Sequence, residues 1–260
     1  MARPRVIPVL LLRKNGLVKS VEFKNHRYVG DPMNAVKVFN EKEVDELIFL
    51  DIDASKDKRE PPYEYLSEIA SECFMPLAYG GGIKTIDQIK KLIKSGIEKV
   101  IINTSALGDV GFLEKACDMF GSSTIVAAMD VKKNFLGNYQ VFSQAGVKVK
   151  ETNPLRYAKQ LSEAGAGEIF LNNVDLDGTM RGYDVPFIKS ITAGLQVPVV
   201  ACGGAGSLDY IFHVIKEGRA AGAAAGSFFV FYGKHRAVLI TYPEPGLLRE
   251  FYVGNGLINL

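Results

Sequence analysis

The chain repeats itself once, and that repetition constrains its fold more than any single motif does. IPVLLLRKN (7 to 15) lies over VAAMDVKKN (126 to 134), IFLD (48 to 51) over IFLN (169 to 172), and PLAYGGGIKTID (76 to 87) over PVVACGGAGSLD (198 to 209). The run ending in Asn103, Thr104 and Ser105 lies over the one ending in Ala225, Gly226 and Ser227, and the offset stays between 119 and 122 residues throughout. A constant offset across the chain means a duplicated unit, with halves of about 1–122 and 123–235. Each half carries four short aliphatic runs: VIPVLLL, LIFLDI, MPLAY and KVIIN, then TIVAAMDV, EIFLN, VPVVAC and AAGAAAG. Continuous apolar runs of this kind suit a parallel sheet covered on both faces. Helical periodicity fills the gaps, clearest in TIDQIKKLIKSG, where Ile86, Ile89 and Leu92 share one face and lysines the other. Eight strand–helix units in two related halves predict a single α/β domain over residues 1–260, a (β/α)8 barrel with two-fold pseudo-symmetry. An open doubly wound sheet is the competing arrangement, but its first strand should meet a GxGxxG turn, and none stands there.

Two segments exceed the repeat. Residues 17–30 contain the alternating LVKSVEF, and in 135–152 the pieces NYQVF and VKVKE flank SQAG as a predicted hairpin. They follow strands 1 and 5, so both should lie over the mouth of the barrel. The last stretch, 233–260, begins GKHRAVLITYPEPGLLREFYV and reads as basic, β-branched and Pro-containing rather than as an amphipathic helix.

A net charge of +2 gives the whole chain no attraction for nucleic acid or an anionic membrane, so any anionic ligand must be held locally. No apolar run approaches the roughly 20 residues of a membrane span, and MARPRVIPVLLL is too short for a secretion signal, which together predict a cytoplasmic protein. Cys73, Cys117 and Cys202 have no paired spacing, and with only His26, His213 and His235 no zinc cluster or disulfide framework is expected. Neither a metal nor an organic cofactor is implied.

In such a barrel the residues that follow each strand build the active site. Glycines there let the backbone approach an anion, and the first N–H groups of the next helix point at it. Gly82, with Asn103 and Thr104 from the next strand, makes one such cradle; Gly204, with Gly226 and Ser227, makes its symmetry mate. The expected ligand carries two phosphates on opposite sides of the mouth. Asp51, Asp130 and Asp177 are candidates for acid–base chemistry, while Asp53 and Asp175 read as loop-capping groups. The duplication exposes one gap: Leu11 occupies the position that Asp130 holds in the second half, so one carboxylate of a symmetric pair is missing.

At the opposite ends of the strands, Arg5, Glu46, Lys99 and Glu168 begin strands 1, 2, 4 and 6. Charges there ordinarily make a solvated rim, although two of each sign can also close an ionic ring across the barrel.

In FLDI, YGGGI, INTSA, AAMDVK, LNNVDLDGT and ACGGAG, in that order over roughly residues 4 to 230, the chain resembles the cyclase subunit of imidazole glycerol phosphate synthase. The resemblance implies a barrel that works in histidine biosynthesis with a separate glutaminase subunit. That barrel binds a bisphosphate ribotide, receives ammonia through its bottom and closes an imidazole ring. Carried over by position, the phosphate sites fall on Gly82, Asn103 and Thr104 and on Gly178, Gly204, Gly226 and Ser227. The mobile-loop lysine falls on Lys19, the charged gate on Arg5, Glu46, Lys99 and Glu168, and the strand-5 acid or base on Asp130. The strand-1 acid is expected at position 11, where this chain has Leu11, and losing a positioned acid or base costs ~10²–10⁴ in rate. With the altered ending, this departure resembles a paralogous branch associated with surface polysaccharides. There the barrel and its glutaminase supply ammonia to a third protein that converts an acetamido sugar to an acetamidino sugar. Cys117, in the helical FLEKACDMF, lacks the strand-to-helix turn of an amidotransferase nucleophile, so the glutaminase is expected as a separate chain docked at the bottom ring.

Overall fold

A computed structural model describes residues 3–258. Its eight parallel strands are β1 (Arg5–Arg13), β2 (Leu47–Asp51), β3 (Leu77–Gly80), β4 (Lys99–Ile102), β5 (Ile125–Lys133), β6 (Glu168–Asn173), β7 (Val199–Cys202) and β8 (Gly222–Ala225). They pair in that order, and β1 then pairs with β8, Arg5 beside Gly222, so the sheet closes into the expected (β/α)8 barrel. Closure gives each of these eight strands a barrel neighbour on both sides.

The duplication is visible in the local chemistry. Helix Ile86–Lys94 starts at Thr85, whose hydroxyl accepts from Gln88 N while the Gln88 side chain accepts from Thr85 N, a reciprocal cap that satisfies two otherwise orphaned donors. Its counterpart in the second half, Leu208–Lys216, starts at Ser207, which accepts from Tyr210 N. Residues alternate along each strand between two cores. Leu10, Leu12, Phe49 and Tyr79 turn outward beneath the helices. Ile7, Ile48, Ala78, Val126, Phe170 and Val200 fill the barrel's interior, with Leu11 and Leu50 packed against that cluster from the mouth.

Both extra segments extend a barrel strand. After β1, strand Gly16–Val21 folds back antiparallel, placing Val18 beside Leu11, and pairs in turn with Lys24–Gly30. After β5 the chain departs from expectation. NYQVF does not pair with VKVKE: Tyr139–Phe142 returns along β5, placing Phe142 beside Asp130, and 143–153 holds no strand. The turn lies at Asn134–Asn138, where the Asn134 side chain accepts from both Leu136 N and Asn138 N and Gly137 takes a positive φ of 82°. That local chemistry outweighs the alternation of VKVKE. The C-terminal segment also corrects its reading, since Pro245–Gly254 is a helix with Pro at its first turn, where a missing N–H costs nothing. Leu248 and Tyr252 are buried, and Phe251 stacks on Phe212 with ring centres 3.8 Å apart. Among the described residues, no helix is long and apolar enough to cross a membrane.

Candidate functional site

The C-terminal ends of the strands enclose a cavity of about 260 Å³. Leu11, Lys19, Asp51, Gly82, Asn103, Thr104, Asp130, Asp177, Gly226 and Ser227 all line it, drawn together from positions spread across the sequence. Gly178 and Gly204 stand behind this lining. Each has a positive φ, 70° and 113°, and a side chain on either would collide with backbone, the Ser20 carbonyl in one case and the Gly182 carbonyl in the other. Only glycine fits both the conformation and the space.

Asp130 is held by two amides, accepting from Asn103 Nδ2 at 2.7 Å and Asn172 Nδ2 at 3.1 Å. Those bonds favour the carboxylate, but burial outweighs them and pushes its pKa up to about 6. A group balanced near neutrality can both take and give a proton at physiological pH. The carbonyl oxygens of Asn103 and Asn172 and the Ser227 hydroxyl are buried without a partner. Three orphaned polar atoms at one mouth are the mark of a place where a polar ligand completes the bonding.

Lys19 arrives from the β1 hairpin, 5 % exposed, its amine donating to the Val9 carbonyl and lying against Gly226, where a β-carbon would have to displace it. Burial pushes this amine down to about 8, against the pull of the Asp177 carboxylate. Burial likewise raises the Asp177 carboxyl, with Lys19 and a hydrogen bond from the Ser20 hydroxyl at 3.3 Å opposing the shift. Asp51 differs from both. Arg59 donates to its two oxygens at 3.1 and 3.2 Å and Ala54 N adds a third bond at 3.0 Å, so this carboxylate is committed to shaping the 52–59 loop. Asp53 and Asp175 are engaged in loops, with Arg13 Nε and Lys133 N respectively. Ser20, Arg59 and Asn172 carry much of this arrangement and hold no assigned role in the sequence reading. Asn172 is marked by LNNVDLDGT and Ser20 sits within the alternating LVKSVEF, in strand Gly16–Val21, whereas Arg59 lies in a loop with no periodic signal.

At the bottom of the barrel, the Arg5 guanidinium donates to both Glu46 and Glu168. Lys99 Nζ completes the circuit, 2.8 Å from Glu46 Oε2 and 3.7 Å from Glu168 Oε1. Each cation touches both anions, and Glu46 is 3 % exposed, so the four charges bind one another rather than forming a solvated rim.

The closed eight-stranded barrel with its duplicated halves and a polar cavity at the C-terminal ends of the strands places the chain in the class of (β/α)8 barrels. The family described as "Histidine biosynthesis protein" matches residues 5–236. The chain belongs to that family and, within it, to the cyclase-subunit branch of imidazole glycerol phosphate synthase. It is 52% identical over 244 residues, covering 94% of this chain and 97% of the relative, to "Putative imidazole glycerol phosphate synthase subunit hisF2" of Pseudomonas aeruginosa. It is 48% identical over 246 residues, 94% of this chain and 95% of the relative, to "Putative imidazole glycerol phosphate synthase subunit hisF3" of Vibrio vulnificus. Over 236 residues, 90% of this chain and 92% of the relative, it is 38% identical to "Imidazole glycerol phosphate synthase subunit HisF" of Thermococcus onnurineus.

Proposed function

We propose that this chain is a cytoplasmic, single-domain cyclase-like barrel repurposed to conduct ammonia. A glutaminase subunit docks on the face that carries Arg5, Glu46, Lys99 and Glu168, and ammonia enters through that ring. The interior beyond it is lined by small and apolar side chains such as Ala78, Ala128, Val200 and Ala224. Neutral ammonia passes such a lining more readily than ammonium, whose charge resists desolvation. From the mouth the ammonia goes to a third protein that makes an acetamidino sugar for a surface polysaccharide.

The observation that carries this reading is Leu11: it lines the same cavity as Asp130, at the position where the resemblance to the cyclase expects the second carboxylate. A supporting observation concerns the source of ammonia. Burial raises the Cys73 and Cys117 thiols to about 11, and raises Cys202 as well, whereas a glutaminase nucleophile needs a lowered thiol pKa. This accords with nitrogen delivered by a separate glutaminase chain. The decisive experiment supplies the purified chain with ammonium salt and the cyclase's ribotide substrate, and expresses it in a histidine auxotroph lacking its own cyclase. Neither turnover nor growth is expected, and near-normal turnover would overturn the proposal.

The second reading is an active cyclase of histidine biosynthesis. It is favoured by Asp130, whose pKa of about 6 suits a single group acting first as acid and then as base, with Lys19 and Asp177 beside the same cavity and both phosphate cradles kept. Growth of the auxotroph would select it.

A further inference from the structure

The C-terminal hairpin, Phe231–Tyr232 paired with Ala237–Val238, lies at the mouth against the hairpin that carries Lys19. Lys19 pairs directly with Arg27 across that second hairpin. Residues directly opposite in an antiparallel pair project from the same face, so Arg27 leaves on the side from which Lys19 enters the barrel. It lands on the C-terminal segment. The Arg27 guanidinium lies 5.4 Å from the centre of the Phe231 ring, and its NH1 donates to the Arg236 carbonyl at 3.2 Å. Arg236 lies over the same ring at 4.8 Å, and its own NH2 donates at 3.0 Å to the carbonyl of Gly178, in the loop after β6. One aromatic ring is thus shared by two cations from different segments, and one of those cations reaches a third segment.

The ring is a fixed point. Phe231 is buried, and the chain beyond it is tied down by Leu239 N to the Val230 carbonyl and by Thr241 N to the Phe229 carbonyl, both at 2.9 Å. Tyr242 then donates to the Val6 carbonyl at 2.8 Å, on β1 near the bottom of the barrel. The Lys19 hairpin has few other ties to the loop after β6: Ser20 to Asp177, Glu22 N to the Asp177 carbonyl at 2.9 Å, and an exposed pair between Glu22 and Arg181 at 3.8 Å.

We propose that Arg27, Phe231 and Arg236 form a latch that holds the β1 hairpin down, which makes them positioning residues for the Lys19 amine. The latch concerns where Lys19 is held, whichever ligand the mouth receives, so it stands or falls apart from the function proposed above. Lys19 reaches the cavity only while the hairpin is seated. Releasing the hairpin exposes the amine to water and takes it away from Asp177 and Gly226. The C-terminal segment, whose described residues do not line the cavity, thereby acquires a role at the mouth.

The test uses the full-length chain and two readouts: acylation of Lys19 by an amine-reactive reagent, followed by peptide mass spectrometry, and hydrogen exchange over residues 16–30. Arg27→Ala and Arg236→Ala each remove one cation from the ring together with its hydrogen bond. In both, Lys19 labelling and hairpin exchange should rise about tenfold, while the unfolding midpoint and the exchange of β5 stay as in the wild type. Phe231→Tyr keeps a cation-binding face and should retain protection; Phe231→Leu should lose it. Wild-type protection of Lys19 in Arg27→Ala would overturn the proposal, and because Arg27 is exposed that variant folds regardless of how the others fare. Protection lost equally in β5 would overturn it too, because the contacts would then support the barrel rather than the hairpin.

Discussion

Leu11 and Asp130 occupy matching places on opposite sides of the duplication. Leu11 pairs with Leu50 on the next barrel strand and with Val18 on its returning arm, and Asp130 pairs in the same manner with Asn172 and Phe142. Both are partly exposed to the one cavity. The backbone therefore treats the two residues alike, and what separates them is the side chain alone. Asp130 has two amide donors and a proton affinity poised near neutrality, whereas Leu11 joins Leu50 in the apolar part of the lining.

Because the backbone at Leu11 already has the geometry that its counterpart uses, Leu11→Asp should be accommodated without refolding of β1. With ammonium salt and the ribotide substrate, the variant should turn over at least ~10²-fold faster than the wild type, the lower end of what a positioned acid or base contributes. Equal rates in the two proteins would show that the cyclisation does not depend on this position, and the repurposed-barrel reading would lose its main support.

Asp130 ties the site to stability through pH. Its folded pKa, about 6, lies above the ordinary value of 3.8, so the folded state binds this proton more tightly than the unfolded state. The stabilisation that this proton provides is complete below about pH 4 and is lost as pH rises through 6. Asp130→Asn, which never ionises, should therefore be more stable than the wild type at pH 8, by on the order of 2 kcal/mol, and the difference should shrink towards zero by pH 4. Urea unfolding at several pH values measures it; a stabilisation independent of pH would show that burial does not govern this carboxyl.

The sequence showed the barrel clearly because its evidence was redundant. Each apolar run occurs twice, and the cap residues Thr85 and Ser207 stand at corresponding places, so errors in one half are corrected by the other. It failed where a segment occurs once. VKVKE alternates like a strand, but Asn134 and Gly137 had already set the turn upstream, which committed NYQVF to β5 and left VKVKE without a partner. PEPGLLREFYV reads as irregular because of its prolines, yet Pro245 stands where a helix tolerates proline, and the packing of Phe251 on Phe212 supplies what local propensity lacks. At the mouth, glycines and carboxylates were visible as residue types. By residue type alone Asp51 and Asp130 are alike and only the resemblance singles out Asp130, because the engagement of Asp51 lies in Arg59, a partner eight residues downstream whose approach depends on the fold of the intervening loop.

The ionic ring predicts an unequal response to single and paired changes. Glu46→Gln leaves Arg5 and Lys99 with Glu168 as their remaining ring carboxylate, and breaking a buried pair on one side should cost about 3 kcal/mol in urea unfolding. Replacing Glu46 and Lys99 together by Leu and Met removes one charge of each sign and should recover much of that loss. Lys91→Ala provides the comparison: its pair with Asp87 spans 3.0 Å but is exposed on both sides, and its loss should leave the urea midpoint close to that of the wild type. A ring variant no more costly than Lys91→Ala would mean that water already screens the ring.

Gly178 joins the two loops that meet over the mouth. Its φ of 70° is one that alanine reaches only with strain, and a β-carbon there would collide with the Ser20 carbonyl. Relief requires the β1 hairpin to lift, because on the other side the Gly178 carbonyl is held by Arg236. Gly178→Ala should therefore destabilise the chain by about 2 kcal/mol through local strain. Its more informative effect is regional: hydrogen exchange over 16–30 should accelerate well beyond that of β5 and β6, and Lys19 should become reactive towards amine reagents. Combining Gly178→Ala with Arg27→Ala should add little further exposure of Lys19, since a hairpin already lifted has no latch left to lose. Fully additive effects in the double variant would show that the loop after β6 and the C-terminal hairpin hold Lys19 independently.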